Sequence, residues 1–309
     1  PNEIYAVLPP LGIAYLAAIA EREGHKVEVL DAIVEGYYKS YNIRIGKEPF
    51  IHLGLDWHEI RSRINLFKPD CVGITCPFTM MSPQAHKIAG LVKGYDQDIP
   101  VIMGGMHPSV APSEVLSDHN IDFVVIGEGE KTLAELLRRL EDKSNFSNVL
   151  GTGLRVGGKI KISSPRPFIE DLDSLPFPAR HLLSMEKYIK IAEPHGVTLR
   201  KRYASMITSR GCPGRCTFCA IHCLWGHKWR ARSPENVVLE IEQLVEKYHI
   251  KEIHFEDDNL TLSKKRMERI CDLIIERGVD ITWTTPNGVA VHTLDKSLLK
   301  KMCDSGCYE

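Results

Sequence analysis

The sequence predicts an α/β fold in two successive parts, and three observations carry that reading. Short apolar runs alternate with helix-periodic segments over residues 1–143, the pattern of a doubly wound, Rossmann-like parallel sheet. A second strand–helix series runs from Tyr203 onward. Between the two, residues 144–202 read as a connector, a hairpin followed by a proline-punctuated stretch. The chain has 309 residues, enough for two hydrophobic cores. With 43% hydrophobic and 26% charged residues it has an ordinary globular composition, and a net charge of -1 gives no general affinity for polyanions. No apolar run reaches the roughly 18 residues of a membrane span, and no secretory signal is visible. Nine cysteines, three of them clustered, favour a reducing compartment over a disulfide framework, so a cytoplasmic location is expected. The chain starts at Pro1 without an initiating methionine and stops where another strand is expected, so both ends read as internal to a longer protein.

In the first part, Leu11–Gly24 is helix-periodic with Gly24 as its stop. Lys26–Leu30 reads as a strand, followed by a polar, tyrosine-rich segment to Gly54 and a helix over Trp57–Phe67. Cys71–Thr75, Val101–Gly104 and Phe123–Ile126 are the short apolar runs of buried parallel strands. Helices are expected over Pro83–Lys93, Pro112–Ser117 and Lys131–Glu141. In such sheets ligands sit beyond the carboxyl ends of the strands. The loops there are rich in small and hydroxylated residues: Thr75-Cys-Pro-Phe-Thr-Met-Met-Ser82, Gly104-Gly-Met-His-Pro-Ser109 and Gly127-Glu-Gly-Glu130. In the connector, Gly153–Ser163 reads as a hairpin turning at Gly157–Gly158. From Tyr203 come a strand over Ser205–Ser209, a helix over Pro234–Tyr248 capped by Ser233, a strand over Glu252–Glu256 and a helix over Ser263–Arg277. A strand over Ile281–Thr285 and a helix over Asp295–Ser305 complete three βα units.

The chemistry concentrates in Cys212-Pro-Gly-Arg-Cys216-Thr-Phe-Cys219, directly after the first strand of the second series. Three thiols within eight residues cannot all pair with one another, but they can converge on an iron–sulfur cluster. Three ligands on a four-iron cubane leave one iron open. A zinc site drawing on His222 and His227 is an alternative, although zinc sites usually show paired C-x2-C halves. A saturated, ferredoxin-like cluster closed by Cys223 is another.

This C-x3-C-x2-C loop, with the Trp229-Arg-Ala-Arg-Ser-Pro-Glu-Asn run that follows, resembles the signature of the radical S-adenosylmethionine (SAM) enzymes. Pro9–Ala17 and the three strand-end loops look like the cobalamin-binding domain that precedes the radical SAM core in one large subgroup, which includes methyltransferases and anaerobic Mg-protoporphyrin cyclases. The resemblance implies a Rossmann-like cobalamin domain followed by the first half of a partial (β/α)6 TIM-type barrel. It also implies a [4Fe-4S] cluster on Cys212, Cys216 and Cys219. SAM contacts are expected from Phe218, Glu256, Asp257, Asp258 and Asn287, with Asp257 or Asp258 facing the SAM ammonium. Cobalamin contacts are expected from Leu11, Gly12, Thr75, Ser82, Gly104, Gly105, His107, Gly127, Glu128 and Gly129. The Asp-x-His-x-x-Gly motif that supplies a histidine to cobalt is absent, and His107 and His58 read as surface or hydrogen-bonded histidines. The implied reaction is reductive cleavage of SAM to a 5'-deoxyadenosyl radical, then cobalamin-assisted methyl transfer to, or cyclisation of, an unactivated carbon. A small-molecule substrate and an external one-electron reductant of flavodoxin or ferredoxin type follow from it.

Between Leu199 and Arg232 there are eight basic residues and no acid, a charge balance that suits an anionic cluster and a SAM carboxylate. The competing reading is a nucleic-acid surface, since Trp225 and Trp229 interleave with the cations. Two further alternatives differ in class. A methylthiotransferase needs three more cluster cysteines in the first part, where only Cys71 and Cys76 occur. An electron carrier or non-catalytic binding module needs Cys223 as a fourth ligand.

Overall fold

The computed structural model describes residues 7–45, 47–191 and 194–309. They fall into two compact units, Leu16–Phe168 and the residues up to Tyr15 together with Ile169–Glu309.

The first elements are α1 (Leu11–Arg22), α2 (Ala32–Glu35), β1 (Ser40–Ile45), β2 (Glu48–Leu53) and α3 (Trp57–Phe67). Strands β1 and β2 form an antiparallel hairpin of their own within the tyrosine-rich segment, which the sequence pattern did not reveal. Helix α3 starts at Asp56, whose side chain accepts from the Glu59 amide while Glu59 accepts from the Asp56 amide, a reciprocal cap. Lys26–Leu30 alternates in exposure but forms no strand among the described residues. A strand needs a hydrogen-bonded neighbour, and no described segment ladders with it.

The main sheet of this unit comes from β3 (Val72–Thr75), α4 (Ser82–Tyr95), β4 (Val101–Gly104), α5 (Met106–Val110), α6 (Pro112–Val115), β5 (Phe123–Val125), α7 (Glu130–Glu141), β6 (Thr152–Val156) and β7 (Lys159–Ile162). The order is β3-β4-β5-β6-β7, with the first three parallel. The hairpin β6–β7, read from the sequence as part of the connector, extends this sheet antiparallel to β5. Successive side chains on a strand point to opposite faces, and both faces are covered. Val101, Met103 and Val124 pack with Ala85, Ala89 and Val115 of α4 and α6, while Ile102, Phe123 and Val125 pack with Leu136 of α7. That double covering is why the strands read as continuous apolar runs.

The second unit contains α8 (Met185–Ile191), β8 (Tyr203–Met206), β9 (Ser209–Arg210), α9 (His222–Trp225), β10 (Arg230–Ala231), α10 (Pro234–Tyr248), β11 (Glu252–Phe255), α11 (Lys264–Glu276), β12 (Thr282–Thr284) and α12 (Lys296–Asp304). Strands β8, β11 and β12 form a parallel sheet in the order β12-β11-β8. The three helices that follow the parallel strands, α10, α11 and α12, each begin on a side-chain cap: Ser233 accepts from the Asn236 amide, Ser263 from the Arg266 amide and Asp295 from the Leu298 amide. Ala204, Met206, Ile253, Phe255 and Trp283 pack outward against Ile241, Ile270 and Leu298 of the three helices. Three βα units with helices on one side and carboxyl strand ends on a common edge are an open segment of a barrel.

Candidate active site

The three-cysteine loop hangs on a narrow neck. Strands β9 and β10 pair antiparallel, Arg210 opposite Arg230, so residues 211–229 leave and return at one point. Gly211 sits at φ +80°, and a Cβ there would lie 2.3 Å from the Lys228 carbonyl oxygen, so only glycine closes the neck. Inside the loop, a Cβ on Gly214 would lie 3.3 Å from Cys212 Sγ and 3.9 Å from Cys216 Sγ, which places two thiols around one side-chain-free spot. The Cys219 amide donates to the Cys216 carbonyl at 3.1 Å, so the chain makes a turn between the second and third cysteines. Among the described residues no three acidic, histidine or cysteine side chains converge on a single ion. Cluster thiolates bind separate irons and do not need to, so the donor set fits a cubane better than a zinc ion. Cys223, in α9, is exposed. Phe218 is 90% exposed on the same loop.

Of the three carboxylates at the end of β11, Asp257 points inward. It is buried and accepts from the Thr208 amide at 3.0 Å, from Thr208 Oγ1 at 2.8 Å and from Ser209 Oγ. Those bonds tie the strand end to the start of the cluster loop, so Asp257, one of the two carboxylates expected beside the SAM ammonium, is engaged by the chain's own donors. Glu256 and Asp258 keep open faces. Glu256 Oε2 is met by His195 at 3.3 Å and by Asn287 Nδ2 at 3.4 Å, while its buried Oε1 has no partner within the described chain. Burial pushes the Glu256 carboxyl up, against the opposing pull of His195. Burial and then the Asp257 charge push the Asp258 carboxyl up to about 6. Asn287 lies in the turn closed by Gly288 N–H donating to Thr285 O at 2.7 Å, and also donates to the Glu256 carbonyl at 3.0 Å.

The basic segment is largely consumed by partners. Glu240, fully buried, accepts from Arg180 and from Arg232, whose own burial is nearly complete. Despite burial, which pushes it up, those two guanidiniums hold the Glu240 carboxyl low. Arg202 pairs with Glu186, Arg200 with Asp280 and Lys228 with Glu170.

In the first unit the strand ends are stitched by the backbone. The Cys76 amide donates to Gly104 O at 2.8 Å and the His107 amide to Cys76 O at 3.2 Å. Ser109 Oγ donates to Gly105 O at 2.7 Å and accepts from the Gly127 amide at 3.0 Å. Gly105 has φ +111°, and a Cβ there would be 2.8 Å from Cys76 O. Thr75, Phe78 and Met80 are exposed on this rim, and Ser82 opens α4. An apolar, side-chain-poor edge of this kind fits a large flat ring. Glu128 is buried next to Gly127, and a Cβ on Gly129 would lie 3.1 Å from Leu16 Cδ2. Leu11, buried, and Gly12, exposed, open α1 among the residues that group with the other unit. His107 corrects the expectation of a surface or hydrogen-bonded ring: it is 1% exposed and neither ring nitrogen has a partner within the described chain. Its amide is held by the Cys76 carbonyl. His58 is exposed, as expected. Burial pushes the Cys71 thiol up to about 12 and raises that of Cys76, so neither is a ready cluster ligand. A cavity of about 520 Å³ beside Lys93, Pro100 and Asp122 lies at the amino ends of β4 and β5, away from this rim.

Sequence reasoning missed His195, which carries no local signal in its loop, and His254, which did carry one. In Glu252-Ile-His-Phe-Glu256 polar and apolar residues alternate, placing His254 on the same face as Glu252 and Glu256.

Known families match both units. Residues 2–137 match the B12 binding domain and residues 206–308 the Radical SAM superfamily. The chain belongs to the radical SAM proteins that carry a B12-binding domain. More particularly, it is 36% identical over 301 residues to an uncharacterized methyltransferase of Pyrococcus horikoshii, covering 97% of this chain and 59% of that protein. It is 34% identical over 322 residues to cytidylyl-2-hydroxyethylphosphonate methyltransferase of Streptomyces wedmorensis, covering 97% of this chain and 60% of that one. The chain thus spans less than two thirds of the length of these relatives. The solved structure of the radical SAM methyltransferase TsrM of Kitasatospora setae superposes with a TM-score of 0.73 at 18% identity, over 99% of this chain and 56% of that one, which shows the fold.

Proposed function

We propose that the intact protein is a cobalamin-dependent radical SAM methyltransferase acting on an unactivated carbon of a small molecule. The observation that carries this is the glycine-necked three-cysteine loop, fixed to the end of the next strand by Asp257, in a chain that also bears a B12-binding domain. Methyl transfer is preferred to cyclisation because both curated relatives described above are named methyltransferases.

Cys212, Cys216 and Cys219 would hold a [4Fe-4S] cluster with one iron left for SAM. Together, cluster, SAM and cobalamin supply one-electron cleavage of the sulfonium and a methyl carrier. The chain's own residues bind and orient. Glu256 and Asp258 supply carboxylates for the SAM ammonium, Asn287 fixes the Glu256 carboxylate, and Phe218 offers an apolar face for the adenine. Thr75, Ser82, Gly104, Gly105, Gly127, Glu128 and Gly129, with Leu11, Gly12 and His107, are the proposed cobalamin contacts. Cys223 stays outside the cluster. An external flavodoxin- or ferredoxin-type reductant delivers the electron. No helix of the described residues is long and apolar enough to cross a membrane, and a reducing, cytoplasmic setting suits such a cluster.

The test is a product analysis on the intact protein, reconstituted without oxygen and given SAM, a reductant and cobalamin. The expected products are 5'-deoxyadenosine and S-adenosylhomocysteine together. Deoxyadenosine alone would overturn the methyl-transfer reading, and neither product with an intact cluster would overturn the catalytic one.

A further inference from the structure

The inner face of a TIM-type barrel is ordinarily filled by branched apolar side chains. Here it is polar. Because Ala204, Met206, Ile253, Phe255 and Trp283 face the helices, strand alternation puts Tyr203, Ser205, Glu252, His254, Thr282 and Thr284 on the opposite face. Contacts confirm it: the Tyr203 and His254 rings stack at 4.9 Å, and Thr282 Oγ1 donates to Glu252 at 3.1 Å.

The lower layer of this face is saturated. Buried Glu252 accepts from Thr198 Oγ1 at 2.6 Å, the Arg200 amide at 2.7 Å and Tyr308 OH at 2.8 Å, and His254 Nε2 lies 2.8 Å from it. The middle layer is not. Ser205 and His254 are direct partners in the β8–β11 register, 1% and 0% exposed, yet Ser205 Oγ and His254 Nδ1 have no partner within the described chain. One layer up the same strand, Glu256 Oε1 is buried and likewise without one.

The three atoms have complementary chemistry. With the Glu252 carboxylate accepting at Nε2, the tautomer protonated at that nitrogen presents Nδ1 as an acceptor. Glu256 Oε1 is a second acceptor, and the Ser205 hydroxyl is a donor. One water molecule, with two donors and a lone pair, satisfies all three, the usual number of bonds for a buried water. Neighbouring strands are about 4.8 Å apart, so the paired Ser205 and His254 fall within the roughly 5.5 Å that a single bridging water spans, and Glu256, on the same face two residues along, has the longer side chain with which to reach it.

We propose that Ser205, His254 and Glu256 hold one buried water inside the barrel, and that through it His254 is a positioning residue for the Glu256 carboxylate. This rests on the reading of Glu256 as a carboxylate for the SAM ammonium. The water fixes Oε1 while Asn287 and His195 fix Oε2, so the carboxylate is held at both oxygens.

The experiment measures SAM affinity in the intact, anaerobically reconstituted protein. In His254→Asn the amide falls near the Nδ1 position and keeps the water contact; in His254→Gln it falls near Nε2 and keeps only the Glu252 contact. The expected result is affinity within about threefold of wild type for Asn, a loss of about tenfold for Gln, and a smaller loss for Ser205→Ala. The reverse order for Asn and Gln, equal losses, or no loss in any variant would overturn the proposal. A high-resolution crystal structure supplies an independent check: density between the three atoms is expected, and its absence would equally overturn it. Glu256→Gln separates the two readings. Unchanged SAM affinity there would sink the role of Glu256 while leaving the water site to the crystallographic result.

Discussion

The carboxyl ends of the two sheets are finished in different materials. In the first unit the rim is tied by main chain and one hydroxyl: Cys76 to Gly104, His107 to Cys76, and Ser109 to Gly105 and Gly127. In the barrel unit the corresponding ends are tied by charge: Asp257 to Thr208 and Ser209, and Glu240 between Arg180 and Arg232. The difference teaches what each end is suited to hold. A backbone rim with few side chains admits a broad ring closely, whereas buried carboxylates and orphaned polar atoms suit a small, charged ligand.

If that contrast is right, charge deletions should hurt the barrel unit far more than the first. The largest effect is expected from Glu240→Ala, which leaves Arg180 and Arg232 buried with no shared carboxylate and should cost about 3–5 kcal/mol in denaturant unfolding. Asp118→Asn in the first unit, which breaks the partly exposed pair with His86, should cost less than about 1 kcal/mol. Similar costs for the two would break the comparison.

Glycine substitutions should separate the sites next. Gly211→Ala forces a Cβ onto Lys228 O at a positive φ and should lower iron retained after reconstitution at least about tenfold, with B12 binding unchanged. Gly105→Ala should do the converse, weakening B12 binding by a similar factor while iron content holds.

A smaller effect is expected from pH. The Asp258 carboxyl lies near 6 through burial and the Asp257 charge, and it binds a cation only when ionised. SAM affinity should therefore be about tenfold weaker at pH 5 than at pH 7, measured by equilibrium binding, and markedly less dependent on pH in Asp258→Asn, where only Glu256 still titrates. As a raised carboxyl, Asp258 opposes folding when ionised: its protonated form favours the fold at low pH, and that contribution fades as pH rises through about 6.

Much of this was legible in the sequence because local rules and packing agree. Trp57–Phe67 and Pro234–Tyr248 each follow directly on a capping residue, Asp56 and Ser233, so their starts are marked locally. The cysteine loop was legible from spacing alone. Three features were not. The hairpin of Ser40–Leu53 pairs only with itself, so no burial pattern marks it, and Lys26–Leu30 has the alternation of a strand but no ladder among the described residues. The role of Asp257 depends on two hydroxyls some fifty residues earlier in the chain, a contact no local pattern encodes. His195 meets Glu256 from a loop without periodicity.

The most direct test of the central claim is electron paramagnetic resonance of the reduced, reconstituted protein, wild type and Cys223→Ala, with and without SAM. Three cysteine ligands and one open iron call for a [4Fe-4S] signal in both proteins, with g values that shift when SAM is added. A signal indifferent to SAM, or one lost in Cys223→Ala, would mean a saturated four-cysteine cluster and would contradict the account.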